Sequence, residues 1–136
     1  MDDPPKNQTQ NRRAIIDVGS NSVKLLVAEV ADGVVTPIVH KGKQTRLGRG
    51  VFETGRLEPE AIAATAREVA AFAELAKGQG AASVRVLATS AAREASNADE
   101  LAAAVAAGGL KLEIIDGQTE AELVLRGVRS LPDLGA

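Results

Sequence analysis

Cysteine, tryptophan and tyrosine are absent from these 136 residues, and Phe52 and Phe72 are the only aromatic side chains. Without cysteine there is no disulfide framework, no thiolate metal site and no cysteine nucleophile. Without aromatic platforms, the stacking used by readers of single-stranded nucleic acid is missing. A strong charge of one sign is missing too: the net charge is −2, which leaves no basic footprint for duplex nucleic acid or anionic membrane. The longest apolar runs fall far short of the ~20 residues a membrane span requires. No charged-then-apolar opening resembles a signal peptide. The single histidine, His40, has no second histidine or cysteine with which to build a zinc site, and it reads as an exposed strand residue. What is present is 45% hydrophobic and 25% charged residues, the balance of a globular, soluble domain expected in the cytoplasm. A chain of this length buries roughly two-thirds of its unfolded surface, enough for a core without staples.

Residues Met1 to Arg13 (MDDPPKNQTQNRR) hold prolines and amides but no apolar residue after the initiator. Such a segment cannot offset its ordering entropy by burial, so 1–13 is expected to be a disordered tail. Ala14 to Val18 is a β-branched run ending in the turn formers Gly19-Ser20-Asn21-Ser22. Val23 to Val30 and Val34 to His40 are two more strands, joined by Asp32-Gly33, a strong hairpin signal. Together they predict an antiparallel meander. After the basic loop KGKQTRLGRG, Pro59 opens a helix with Ile62, Ala66, Val69, Phe72 or Ala73, and Ala76 at three- or four-residue spacing. Gly78 and Gly80 end it. Ser83 to Ala88 is a fourth strand and Leu110 to Ile115 a fifth. Asn97 with Glu100, and Thr119 with Glu122, read as capping boxes opening two further helices, the first running to Ala107. The order β-β-β-α-β-α-β-α predicts an α/β fold, a ribonuclease-H-like lobe with a mixed five-stranded sheet.

The segment richest in chemistry is Asp17-Val18-Gly19-Ser20-Asn21-Ser22. A tight turn of small residues presents successive backbone N–H groups, which can form an anion-binding concavity. Ser20, Asn21 and Ser22 add side-chain donors, Lys24 adds a point charge, and Asp17 offers a carboxylate to a hard cation. The same residues equally suit a hairpin turn whose polar groups merely serve the backbone. The loop is not a Walker loop, because the Gly-Lys-Ser/Thr end is missing. Nor do Ser20 and Ser22 have the G-x-S-x-G context of a hydrolase nucleophile.

Four blocks in order resemble the amino-terminal lobe of the exopolyphosphatase/guanosine pentaphosphate phosphatase (Ppx/GppA) family, in the actin-like ATPase superfamily. They are AIIDVGSNSVKLLVAEV, KQTRLGRG, ATSAAREASN and IIDGQTEAELVLRGV. In the second, Gln44 stands where the family usually has Glu. The resemblance implies a phosphohydrolase that releases terminal phosphate from inorganic polyphosphate or pppGpp by Mg²⁺-assisted attack of water. It implies that Asp17 helps hold Mg²⁺ and that Gly19, Ser20, Asn21, Ser22 and Lys24 embrace a phosphate. By the same resemblance, Thr89, Ser90 and Arg93 contact phosphate, Glu120 is the general base, and Arg46 is a looser anion contact.

Local chemistry bears on two of these. Arg93 follows a strand's carboxyl end, where ligands bind in open α/β sheets, and a guanidinium there can clamp phosphate oxygens. It can equally pair with Glu94 on the surface. Glu120 lies in the first turn of the last expected helix, where the dipole favours an ionised carboxylate, the default place for any first-turn acid.

A family member normally continues into a second phosphate loop, D-x-G-G-G-S-T-E, and a second lobe, whereas these residues stop at Leu131-Pro132-Asp133-Leu134-Gly135-Ala136. Residues 14–136 are therefore expected to form one lobe with little activity alone, paired with a second lobe or in a homo-oligomer. A stand-alone module binding phosphate, polyphosphate or nucleotide is the alternative. Sugar and acetate kinases of the superfamily usually carry Asp-x-Gly-Thr or Asn-x-Gly-Ser at the first loop and rank below both.

Overall fold

The computed structural model describes residues 11–116. Three strands, β1 (Arg12–Val18), β2 (Ser22–Ala31) and β3 (Val34–Gln44), form an antiparallel meander. A short helix, α1 (Val51–Thr54), and a long one, α2 (Pro59–Gly78), then lead to β4 (Ser83–Ala88). Next come α3 (Ser90–Glu94), α4 (Ala98–Ala107) and β5 (Leu112–Ile114). β4 joins the far edge of β1 in parallel and β5 joins β4, giving the sheet order β3-β2-β1-β4-β5. The expected mixed five-stranded sheet is thus present. The last expected helix, from Thr119, and residues 1–10 of the expected tail lie outside the described residues.

Strand alternation decides where the core lies. Ala14, Ile16 and Val18 of β1, Val23, Leu25 and Val27 of β2, and Val86 and Ala88 of β4 are buried. Against them pack Ile62, Val69, Phe72, Ala73 and Ala76 of α2, and Leu101 and Val105 of α4. Each fully buried aliphatic side chain contributes roughly 1.5–3 kcal/mol. A one-residue slip of any strand would turn that whole set to the other face, so the apolar pattern itself fixes the register.

Four expectations need correction. β1 begins at Arg12, so Arg12 and Arg13 belong to the sheet and not to the tail. Arg12 is drawn in by Glu29, its cross-strand partner at 3.3 Å, and by the Gln79 carbonyl at 2.7 Å. β3 runs on to Gln44, four residues past His40, because it pairs along the full length of β2. The register shift opposite Val27/Ala28 leaves Ile38 as an extra residue beside Pro37, where an edge strand tolerates a missing N–H. β5 spans only Leu112–Ile114.

The fourth concerns Asn97. It precedes α4, but its side chain makes no capping bond. Instead its Oδ1 accepts from the Leu57 N–H at 2.7 Å and its Nδ2 donates to the Leu57 carbonyl at 3.1 Å, all of it buried. A buried peptide group left without partners costs about 1–3 kcal/mol, so this long-range pairing outcompetes the local cap. Among the described residues, no helix is long and apolar enough to cross a membrane.

Candidate functional site

The carboxyl ends of the parallel strands β1 and β4 lie side by side, Val18 beside Ala88. The chain leaves β1 through the Gly19–Asn21 turn and leaves β4 through Thr89 into α3. A hydrogen bond from the Thr89 N–H to the Val18 carbonyl, 3.2 Å, ties the two exits together. This is the edge at which open α/β sheets bind ligands.

The turn is closed by the Gly19 N–H donating to the Ser22 carbonyl at 3.0 Å. Glycine is favoured there, since a Cβ would lie a tight 3.1 Å from that same oxygen. A second loop then clasps the first. The Asn21 carbonyl accepts from the Thr45 and Arg46 N–H groups at 3.1 and 3.0 Å, and the Ser20 carbonyl accepts from Gly48 at 2.7 Å. Gly48 must also be small: a Cβ would stand 3.0 Å from the Ser20 Cβ and 3.2 Å from its carbonyl. To meet Asn21, Arg46 takes up a left-handed backbone with φ of 54°, which costs a non-glycine residue about 1 kcal/mol or more.

Between the two loops lies an open cleft of about 470 Å³, lined by Ser20, Asn21, Arg46, Gly48 and Arg49. Of the residues singled out in the sequence, Ser20, Asn21 and Arg46 therefore share one cavity. Gly48 and Arg49 line it as well and were not singled out, although both stand in the KQTRLGRG block. Their role was invisible because backbone bonds, not side-chain patterns, bring the loop to the turn.

The remaining candidates within the described residues do not line this cleft. Asp17 and Lys24 are directly opposed in the β1–β2 ladder, so their side chains share a sheet face. Asp17 is half-buried with its Oδ1 shielded from solvent, and Lys24 is exposed. Ser22 opens β2 opposite Gln44. Thr89 is buried, Ser90 is the first residue of α3, and Arg93 lies one turn further on, its N–H donating to the Thr89 carbonyl at 3.1 Å. The Arg93 Nη1 donates to the Ile115 carbonyl at 2.9 Å, which fixes the direction of the half-buried guanidinium. Glu120 lies outside the described residues.

The donor set bears on metal chemistry. Among the described residues no three His, Cys, Asp or Glu side chains gather at one point, so a protein cage of the zinc or calcium kind is not built here. A single carboxylate such as that of Asp17 is chemically compatible with Mg²⁺, which is held by one or two carboxylates and completes its shell with water and phosphate oxygens.

A model of the Ppx/GppA phosphatase family matches residues 26–132. Exopolyphosphatase 2 of Mycobacterium tuberculosis is 43% identical over 138 residues, covering 92% of this chain and 43% of that protein. Exopolyphosphatase 1 of Mycobacterium leprae is 32% identical over 87% of this chain and 35% of its own length. Among solved structures, the Ppx/GppA family member of Aquifex aeolicus superposes with a TM-score of 0.81 at 36% identity. That match covers 89% of this chain and 40% of the other. An exopolyphosphatase from Cytophaga hutchinsonii gives 0.80 at 28% identity, covering 87% of this chain and 38% of the other. The chain thus spans about two-fifths of the length of the relatives it matches. With the expected sheet in place, these matches establish that the chain belongs to the Ppx/GppA phosphatase family.

Proposed function

We propose that these residues form the phosphate-gripping lobe of a phosphohydrolase that removes the terminal phosphoryl group of inorganic polyphosphate or pppGpp. The observation that carries this reading is the joining of two loop systems at the carboxyl ends of β1 and β4. There the clasped turn at Ser20 and Asn21 adjoins the Thr89 exit and α3. Phosphoryl transfer asks mainly for positioning and for positive charge around the phosphate oxygens. In this reading Gly19, Ser20, Asn21, Ser22 and Lys24 bind and orient the terminal phosphate. Thr89, Ser90 and Arg93 grip it from the β4 side, with Arg93 aimed by its bond to Ile115. Asp17 holds Mg²⁺, which when bound neutralises charge on the phosphate oxygens. Glu120, by family resemblance, accepts a proton from the attacking water. The new P–O bond forms as the bond to the bridging oxygen breaks, and the shortened chain leaves as an oxyanion.

One lobe supplies charge from one side only, so the 136 residues by themselves should bind phosphate weakly and turn over little. Phosphate release is measured with long-chain polyphosphate and with pppGpp, Mg²⁺ present. Binding by the wild-type chain that Arg93→Gln and Lys24→Gln weaken would support the site. Robust release by this chain alone would overturn its expected inactivity, and binding unaffected by either change would overturn the site itself. A chain that binds phosphate or nucleotide in every context and never hydrolyses it, even joined to a second lobe, would favour the binding-module reading.

A further inference from the structure

We propose that Arg93 is also a positioning residue, which latches the end of β5 against α3. An anion bound at the β4 exit then tightens the strand end from which the chain runs on to Glu120. This relay rests on the reading of Arg93 as a phosphate contact, whereas the latch itself does not.

Four hydrogen bonds lace the exits of β1, β4 and β5 in series. The Thr89 N–H donates to the Val18 carbonyl at 3.2 Å, and the Arg93 N–H donates to the Thr89 carbonyl at 3.1 Å. The Arg93 Nη1 then donates to the Ile115 carbonyl at 2.9 Å. From there the Ile115 N–H returns to the Ala88 carbonyl at 3.0 Å. The last three bonds close a ring through the end of β4, α3 and the residue that follows β5. Three of the four links join peptide groups. The fourth is a guanidinium, and it carries the charge that an anion attracts.

The strand held by this latch is weakly anchored. β1 and β4 end on the buried Val18 and Ala88, whereas Ile114 at the end of β5 is 44% exposed. β5 pairs with β4 over three residues only. So short an edge strand draws little stability from its ladder or from burial, and a polar tie at its end governs how often it opens. The half-buried Arg93 guanidinium suits both tasks. Its five N–H donors sit in a fixed planar fork, so one can serve a carbonyl while others face an oxyanion. Holding a long side chain in one rotamer costs entropy, and whichever partner fixes it spares the other that cost. The coupling is reciprocal: the Ile115 carbonyl aims Arg93 at phosphate, and phosphate steadies Ile115. Ile115 precedes Glu120 by five residues. Occupancy of the phosphate grip thereby reaches the stretch of chain that carries the residue read as the general base.

The test is hydrogen exchange of the Ile115 N–H, followed by NMR in the 136-residue chain with and without inorganic pyrophosphate at matched ionic strength. Without ligand, Arg93→Gln should speed this exchange about fivefold, the loss of one charge-assisted bond. Unchanged exchange would overturn the latch. Pyrophosphate should slow it about fivefold in the wild-type chain, while amides flanking the Asp32-Gly33 turn stay as they were. A merely structural Arg93 would give the first effect without the second. Arg93→Lys keeps a point charge but not the planar fork, so pyrophosphate affinity should fall less than about threefold while the slowing at Ile115 disappears. Arg85→Gln, which breaks the other side-chain tie between β4 and β5, should leave the slowing intact. Its loss there would overturn the assignment to Arg93. Pyrophosphate that binds without slowing Ile115, or that speeds it, overturns the relay and leaves the phosphate reading standing. A wild-type chain that binds no pyrophosphate overturns that reading and the relay with it, and the ligand-free comparison alone then decides the latch.

Discussion

Two hairpin turns in the same meander are built from similar residues and have different fates. Asp32-Gly33 joins β2 to β3 with both residues at positive φ, 54° and 75°, the geometry of a two-residue hairpin loop. It is exposed, and a Cβ at Gly33 would meet nothing within 4 Å. Gly19 to Asn21 joins β1 to β2, and here the Ser20 and Asn21 carbonyls are claimed by a loop 24 to 28 residues further along the chain. The first turn only reverses the chain. The second is clasped from outside, so its backbone is fixed and its side chains face a cleft. Small polar residues between two strands announce a turn, but only a partner loop converts a turn into a site.

That difference predicts a graded response to enlarging each glycine. Gly48→Val should do most damage, because its Cβ would press on the Ser20 Cβ at 3.0 Å and the Ser20 carbonyl at 3.2 Å and part the two loops. A loss of about 2–3 kcal/mol in urea unfolding is expected, with phosphate binding abolished. Gly19→Ala should cost about 1–2 kcal/mol, since the added methyl meets the backbone oxygen of Ser22 and not a yielding side chain. Phosphate binding should weaken in step. Gly33→Ala should cost only about 1 kcal/mol, from its positive φ, and leave phosphate binding as it was. If Gly33→Ala impaired binding as much as Gly19→Ala, the contrast between the turns would be lost.

The smallest effect calibrates the others. Arg85 and Glu113 form a bidentate pair across β4 and β5, at 2.8 and 3.1 Å, remote from both turns. The hydrogen bonds from Arg85 hold the Glu113 carboxyl below its ordinary value of 4.5. A depressed carboxylate stabilises the fold above its unfolded pKa and loses that contribution as pH falls through the folded one. Because the pair is well exposed and screened, Arg85→Gln should cost no more than about 0.5 kcal/mol at pH 7. The difference from wild type should shrink as pH falls through the lowered folded-state pKa of Glu113, read from paired urea titrations.

The sequence pattern located the hairpin, all five strands and the long helix, because burial on a twisted sheet writes a period of two and on a helix a period of 3.6. What escaped it has a common physical origin. The clasp between residues 45–48 and the turn is made by peptide groups, which every residue carries, so no side-chain spelling marks it. Arg49 was hidden for the same reason. Asn97 was misread because its side chain satisfies a peptide group forty residues away in preference to the helix beside it. The extension of β3 to Gln44 depends on β2 continuing alongside, not on the apolarity of KGKQ.

The Asn97–Leu57 pairing has a mechanical consequence. Beside it, the Gly55 carbonyl accepts from the Ser96 N–H at 2.7 Å, and Arg56 reaches Glu100 at 3.0 Å. The span from Thr45 to Leu57 is therefore moored at its start to Asn21 and at its finish to the foot of α4. A span moored at both ends serves as a shelf and not as a lid. If the cleft takes an anion as proposed, its floor is already laid, and association proceeds without the ordering penalty that a swinging loop would impose.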